Sequence, residues 1–426
     1  MSATRTAGPL PMVRPPTLAV GEGRSASRLE LFFDLAYVLV VMQLVLAFTE
    51  NLTWSGLLVL AGLFVAVWLS WMGFTLYANR FDTDDVVFRI AKLSATLAIA
   101  GCAASASDAV GAYAVPFAAC YLTGRLILLG LYLRAWRHVA DARPTISVYL
   151  TCIAVSATLW AVSLAFPGPT RYILWAVAVL VDALGPPLAT LRRDKLPLQI
   201  EHLPERFGLF VILVLGEAIG GVVRGVHDAS WARDAVLLGL LGFVVTAGQW
   251  WIYFDTGAEQ SADRLEEAEQ EESEEDPGAN GEHVDERHDL FVYGHLPMTL
   301  GIVLAGVGIE ELALHPEKGL PSPYGWLLAA GVVTFLVGIA MVVGGTARSW
   351  SSIWPWPLAA LPLVPLVALL PVLTSTGLLV ATAFILIGIA FVGTWRARHH
   401  GEPPSREPGQ ETPLAEQSGT GAPRRG

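Results

Sequence analysis

The stretch His202 to Val223, HLPERFGLFVILVLGEAIGGVV, reads as one apolar helix with a charge near its middle. Arg206 and Arg224 bracket a run whose sole ionisable side chain is Glu217. At a rise of about 1.5 Å per residue this run covers roughly 27 Å, close to the hydrocarbon thickness of a bilayer. The stretch therefore predicts a membrane-crossing helix with a carboxyl group at mid-depth. A carboxylate there is unfavourable by roughly 2.5 kcal/mol or more, so it must face protein or water, pair with a cation, or take up a proton.

The rest of the chain repeats the apolar pattern. Of 426 residues, 54% are hydrophobic and only 15% charged, and the mean hydropathy is +0.52. Twelve apolar runs fall between Glu30 and Trp395, the quoted one being the seventh, and each has the length a bilayer demands of a spanning helix. A soluble domain has no means of hiding so many, so the expected fold is all-α, a polytopic membrane protein of about twelve transmembrane helices. The eleventh run, Ile353 to Leu373, holds Pro355, Pro357, Pro362, Pro365 and Pro371 and is the weakest helix of the set.

Charge and cysteine usage exclude several classes. The net charge of -11 is concentrated between Glu259 and Asp289, so it describes one loop and not the membrane part; nucleic-acid binding is not expected. Cys102, Cys120 and Cys152 lie in apolar runs without metal or redox spacing and read as small apolar side chains. No P-loop, GxSxG, HExxH or dinucleotide-binding turn is present. Neither an enzyme nor a cofactor or metal is expected.

Residues 1–27, rich in Pro, Arg, Ser and Gly, and residues 396–426 read as disordered cytoplasmic tails. Between them the sequence repeats. Glu30-Leu31-Phe32 opens the first run and Glu205-Arg206-Phe207 the seventh; Phe81-Asp82-Thr83 follows the second and Phe254-Asp255-Thr256 the eighth; Phe88, Lys92 and Thr96 in the third correspond to Phe291, His295 and Thr299 in the ninth. The expected organisation is therefore two parallel six-helix repeats, residues 28–195 and 196–395, the second with an acidic cytoplasmic loop inserted at 257–289. With the N-terminus inside, most of the 27 Lys and Arg lie in cytoplasmic loops and tails, leaving Arg171, Arg224, Arg233 and Lys318 outside, as the positive-inside bias requires.

Two groups of intramembrane charge follow from this layout. Glu30 and Asp34 share a face of the first helix by four-residue spacing. Lys92, His295 and the pair Glu205 and Arg206 enter their own helices at similar depth, so these side chains can form one polar cluster near the cytoplasmic side. Deeper lie Arg125, Asp182 and Glu217; one arginine cannot fully pair both acids. Along the seventh helix Arg206, Phe210, Leu213, Glu217, Gly220 and Arg224 share a face; Gly216 and Gly220 make a small-xxx-small pattern, and Gly220-Gly221 lets another backbone approach beside Glu217. Such groups either line a path for a polar substrate or lock helices together as structural ion pairs.

LELFFDLAYVLVVMQL, ERFGLFVILVLGEAIGG and HLPMTLGIVLAGVGIE with the following His315-Pro316 resemble the bacterial low temperature requirement protein A family of multi-spanning membrane proteins. The resemblance covers Arg28 to Pro316 well and the last three helices weakly. It implies a bacterial cytoplasmic membrane and a role in growth under cold stress, with Glu30, Phe32, Asp34, Glu205, Arg206, Glu217, Asp255 and His295 as the matching positions. Arg28-x-x-x-Phe32-Phe33-Asp34 is also similar to the R-x-x-x-F-S-D signature opening the first helix of a six-plus-six family of potassium channels, with Phe33 in place of the serine. The leading expectation is a transporter or channel for a small ion or a proton-coupled solute, its pathway lined by the first and seventh helices with Glu217 as the ion or proton site. The alternative is a non-transporting scaffold or cold-stress factor whose buried charges brace the fold. A water-accessible route to Glu217 favours transport, and a sealed pair with Arg125 favours bracing.

Overall fold

Helix boundaries are set by local capping chemistry. The Ser27 Oγ accepts the Glu30 amide at 3.3 Å while the Glu30 carboxylate accepts the Ser27 amide at 2.9 Å, a capping box that starts α1, Arg28–Thr49. Thr53 caps α2, Trp54–Arg80, and Asp85 caps α3, Val86–Ser105, each leaving an extended residue whose side-chain oxygen takes an otherwise orphaned amide. The first half continues with α4, Ala114–His138, α5, Arg143–Ser163, and α6, Gly168–Thr190. The second has α7, Leu203–Asp228, α8, Arg233–Tyr253, α9, Glu282–Leu314, and α10, Pro323–Thr346. The short α11, Leu363–Leu369, and α12, Ser375–His400, follow. The computed structural model describes residues 12–19, 27–190, 203–255, 282–316, 322–346, 358, 360–369 and 374–400.

Among the described residues 11 helices are long and apolar enough to cross a membrane. Their outward faces carry exposed Leu58, Leu97, Leu180, Leu240, Phe384 and Phe391, a surface suited to lipid tails and not to water. The chain is a multi-pass, all-α membrane protein. Of the expected eleventh span, residues 358 and 360–369 are described, and they include the seven-residue α11. The tails at 1–11 and 401–426 and most of the acidic loop also lie outside them.

Two expected boundaries move. α9 begins at Glu282, so the last part of the segment assigned to the acidic loop is helix. The N-terminal segment, expected to be disordered, is docked over 12–19. Thr17–Leu18, β1, pairs antiparallel with Phe81–Asp82, β2. Arg14 donates from its amide to Asp85 and from Nη2 to Asp82, both at 2.8 Å. Arg134 binds Asp85 and also the Arg14 carbonyl, the latter at 2.6 Å. Composition suggested disorder because the segment buries little apolar area; its order comes instead from this Asp85-centred set of bonds.

Burial of Asp85 opposes its charge, but the Arg134 guanidinium and the Arg14 and Phe88 amides outweigh it and hold the carboxyl below the ordinary 3.8. A depressed native pKa stabilises above the ordinary carboxylate range and is lost as pH falls through the native value. Docking of residues 14–19 should therefore be constant from neutral pH down to about 4 and loosen below it. Asp85→Asn should loosen it at neutral pH. Hydrogen exchange of the Ala19 amide, bonded to Arg80 at 3.0 Å, reports both; equal protection in the variant would refute the assignment.

In the second half the tightest packing is between α9 and α10. Gly294, Gly301 and Gly308 recur every seventh residue on α9 and face Val342, Phe335 and Leu328 of α10, while Gly331 and Gly338 of α10 face Ala305 and Met298 of α9. A Cβ at Gly301 would lie 2.3 Å from the Phe335 nitrogen, and one at Gly331 2.3 Å from the Ala305 nitrogen. Small residues at this spacing bring backbones into contact, which supplies dispersion energy where lipid removes the hydrophobic drive between helices.

Candidate functional site

α7 organises two charged clusters on one face. Near its start Arg206 reaches across to α1, with Nη1 2.9 Å from Glu30 and Nη2 3.6 Å from Asp34, so α1 and α7 begin at the same end of the bundle. Asp34 is fully buried. Its Oδ1 accepts the Trp71 indole N–H at 2.9 Å, while its Oδ2 and the Nε and Nη2 of Arg206 have no hydrogen-bond partner. The Lys92 ammonium stands 3.7 Å above the Phe33 ring, within electrostatic reach of Glu30, Asp34 and Arg206. Two acids and two bases thus balance in charge, with polar atoms left unsatisfied at their centre, a state that costs free energy unless a small polar group fills it.

His295 is adjacent and not part of the charge set. Its Nδ1 bonds the Phe291 carbonyl at 2.8 Å and its Nε2 the Tyr253 hydroxyl at 3.1 Å. A carbonyl only accepts, so Nδ1 carries a proton, and Nε2 shares its hydrogen bond with the Tyr253 hydroxyl. Its ring packs 4.5 Å from that of Phe207. Glu205 is exposed, so of the expected cytoplasmic-side cluster Glu30, Asp34, Lys92 and Arg206 come together, His295 borders them and Glu205 does not join.

Toward the other end of α7, Arg224 Nη2 lies 3.0 Å from Glu217 and 2.9 Å from Glu310 of α9. Arg224 folds back along its own helix to reach Glu217, and its side chain is 25% exposed against 7% for Glu217. Gly221 leaves room for Glu310: a Cβ there would meet its carboxylate at 3.0 Å. Between the clusters lie aromatic rings, with Trp71 4.3 Å from Phe210 and 5.1 Å from Phe207. Arg125 is bonded to Asp182, which also accepts Ser156 Oγ at 2.7 Å. This pair lies within the first half, apart from Glu217.

The expected choice for Glu217, open route or clamp by Arg125, is met by a third arrangement in which Arg224 is the partner. The shared face of Glu217 and Arg224 was readable from seven-residue spacing, but the arginine was assigned to the loop beyond. Glu310, Trp71, Ser156 and Tyr253 were missed; of these Glu310 alone had a signal, an acid inside an apolar span.

A sequence profile described as bacterial low temperature requirement A protein (LtrA) matches residues 25–391. An uncharacterized protein of Rhizobium meliloti (strain 1021) is 28% identical over 371 residues, covering 83% of this chain and 87% of the relative. No solved structure matches. The match extends from just before the capping box of α1 to within α12, and so takes in both charged clusters of α7: the chain belongs to the bacterial low temperature requirement A protein family.

Proposed function

We propose that the protein is a membrane transporter or channel for a proton or small cation, alone or coupled to a solute, with α1 and α7 lining its pathway. The observation that carries this reading is Asp34, a buried carboxylate in a membrane span whose Oδ2 makes no hydrogen bond, beside an Arg206 whose Nε and Nη2 make none either. Arg206 is 2.9 Å from Glu30 and 3.6 Å from Asp34, so it holds one acid closely and the other loosely. A cation arriving at Oδ2 competes with this guanidinium for Asp34, and the Glu30 pairing gives Arg206 a place to remain. Phe207, Phe210 and Trp71 occupy the space between this cluster and Glu217, so the conformation is an occluded one. The reading includes the two parallel repeats, supported by α1 packing on α2 and α3 as α7 packs on α8 and α9, and the inside placement of the Glu30 end by the arginine bias.

Proteoliposomes with a pH gradient or an alkali-cation gradient should show flux that Asp34→Asn reduces at least tenfold while Glu217→Gln retains most of it. Asn keeps an acceptor for Trp71, so folding should persist and can be checked by thermal unfolding. Equal flux in wild type and Asp34→Asn would remove Asp34 from the pathway. One observation favours the alternative, a non-transporting scaffold or cold-stress factor: Glu217, Arg224 and Glu310 tie α7 to α9 as a brace. That reading requires that no gradient produce flux even in the wild type.

A further inference from the structure

We propose that a cavity between α2, α4, α5 and α6, apart from the α1–α7 pathway, is a binding site for one small inorganic anion of the chloride class. The cavity holds about 20 Å³, enough for a single water-sized occupant. Arg125 and Asp182 line it with Tyr132, Tyr149, Gly73 and Gly185. Arg125 is 3% exposed, and while its Nη2 binds Asp182, its Nε and Nη1 have no partner. Gly73 keeps the space before Nη1 open: a Cβ there would stand 3.7 Å from that atom.

The chemistry of the lining selects the occupant. Both Asp182 oxygens are taken, by Arg125 and by Ser156, so the unsatisfied side-chain atoms on the lining, among the described residues, are both N–H donors of a cation. An anion needs donors alone, whereas a water must also give up two hydrogens. Behind Tyr149 stands Arg80, 4.8 Å from the ring centroid and 7% exposed, with its own Nε and Nη1 unpartnered. Asp182 answers one of these two cations, and Asp289 is within electrostatic reach of Tyr149. The competing occupant is a water that donates to the Asp182 carbonyl, which Pro186 deprives of its helical partner.

The test is thermal unfolding of the purified full chain in detergent, with sodium gluconate replaced by sodium chloride or bromide at constant ionic strength. Gluconate is too large for the cavity. The midpoint should rise saturably, by roughly 1–2 °C at about ten times the halide Kd. Gly185→Ala places a Cβ 3.6 Å from Cys152, an ordinary contact that fills space without a clash; it should fold and lose the halide response. The double variant Arg125→Leu/Asp182→Leu should lose it too. A wild type with no saturable halide dependence means that the cavity holds water and overturns the proposal. So does a response that survives in both variants, since the halide then binds elsewhere.

Discussion

Gly301→Val should leave little correctly folded protein. The Cβ it adds would sit 2.3 Å from the Phe335 nitrogen, against 2.6 Å to the Gly331 carbonyl oxygen, and both are backbone atoms that no rotamer change can move. The helices must separate, and with them go the contacts along the whole glycine seam of α9 and α10. Overpacking a well-filled core costs about 1–3 kcal/mol, and more where backbone must shift, so a loss of at least about 3 kcal/mol is expected here. Thermal unfolding and size-exclusion profiles in detergent measure it. Gly62→Ala is the control, because nothing lies within 4 Å of its added Cβ; helix propensity alone should make that variant neutral or slightly more stable. If Gly301→Val behaved like the control, the close approach of α9 and α10 would be wrong.

The second large effect is expected at Arg125. Removing it as Arg125→Leu strands Asp182 in the membrane interior, with the Ser156 hydroxyl as its remaining side-chain donor among the described residues. Breaking a buried pair by deleting one partner costs about 3–5 kcal/mol, whereas replacing both with apolar residues of similar size is often neutral. Arg125→Leu should therefore unfold far more readily than wild type, and adding Asp182→Leu should restore most of the loss. A double variant no better than the sum of the two single ones would show that the pair does not act as a unit.

Much of the fold was legible because a bilayer imposes a simple rule on sequence: apolar runs of fixed length must be helices. That rule found the eleven described spans. It is weakest where prolines crowd, around α11, and it failed where polar chemistry outweighs composition, as in the docking of residues 12–19. The charged clusters were half legible. Periodicity along one helix placed Glu30 with Asp34 and Glu217 with Arg224, since positions four or seven apart share a face. Common depth in the membrane grouped Arg206 with Glu30, but a partner such as Glu310 for Arg224 depends on which faces meet, and one helix's own pattern does not contain that information. Arg224 escaped assignment for a further reason: a long side chain near a helix end can turn inward to an acid as readily as outward to water.

The bridge from Arg206 to Glu30 and Asp34 joins residues about 170 positions apart, so at ordinary rates of synthesis α1 exists for roughly ten seconds or more before its counter-charge is made. Through that interval the nascent chain carries two acids in its first helix without their arginine. The first half made alone should accordingly be a poor substitute for the whole. A ribosome stalled ahead of residue 206 would hold a protein whose opening helix still awaits the partner that settles it in the membrane.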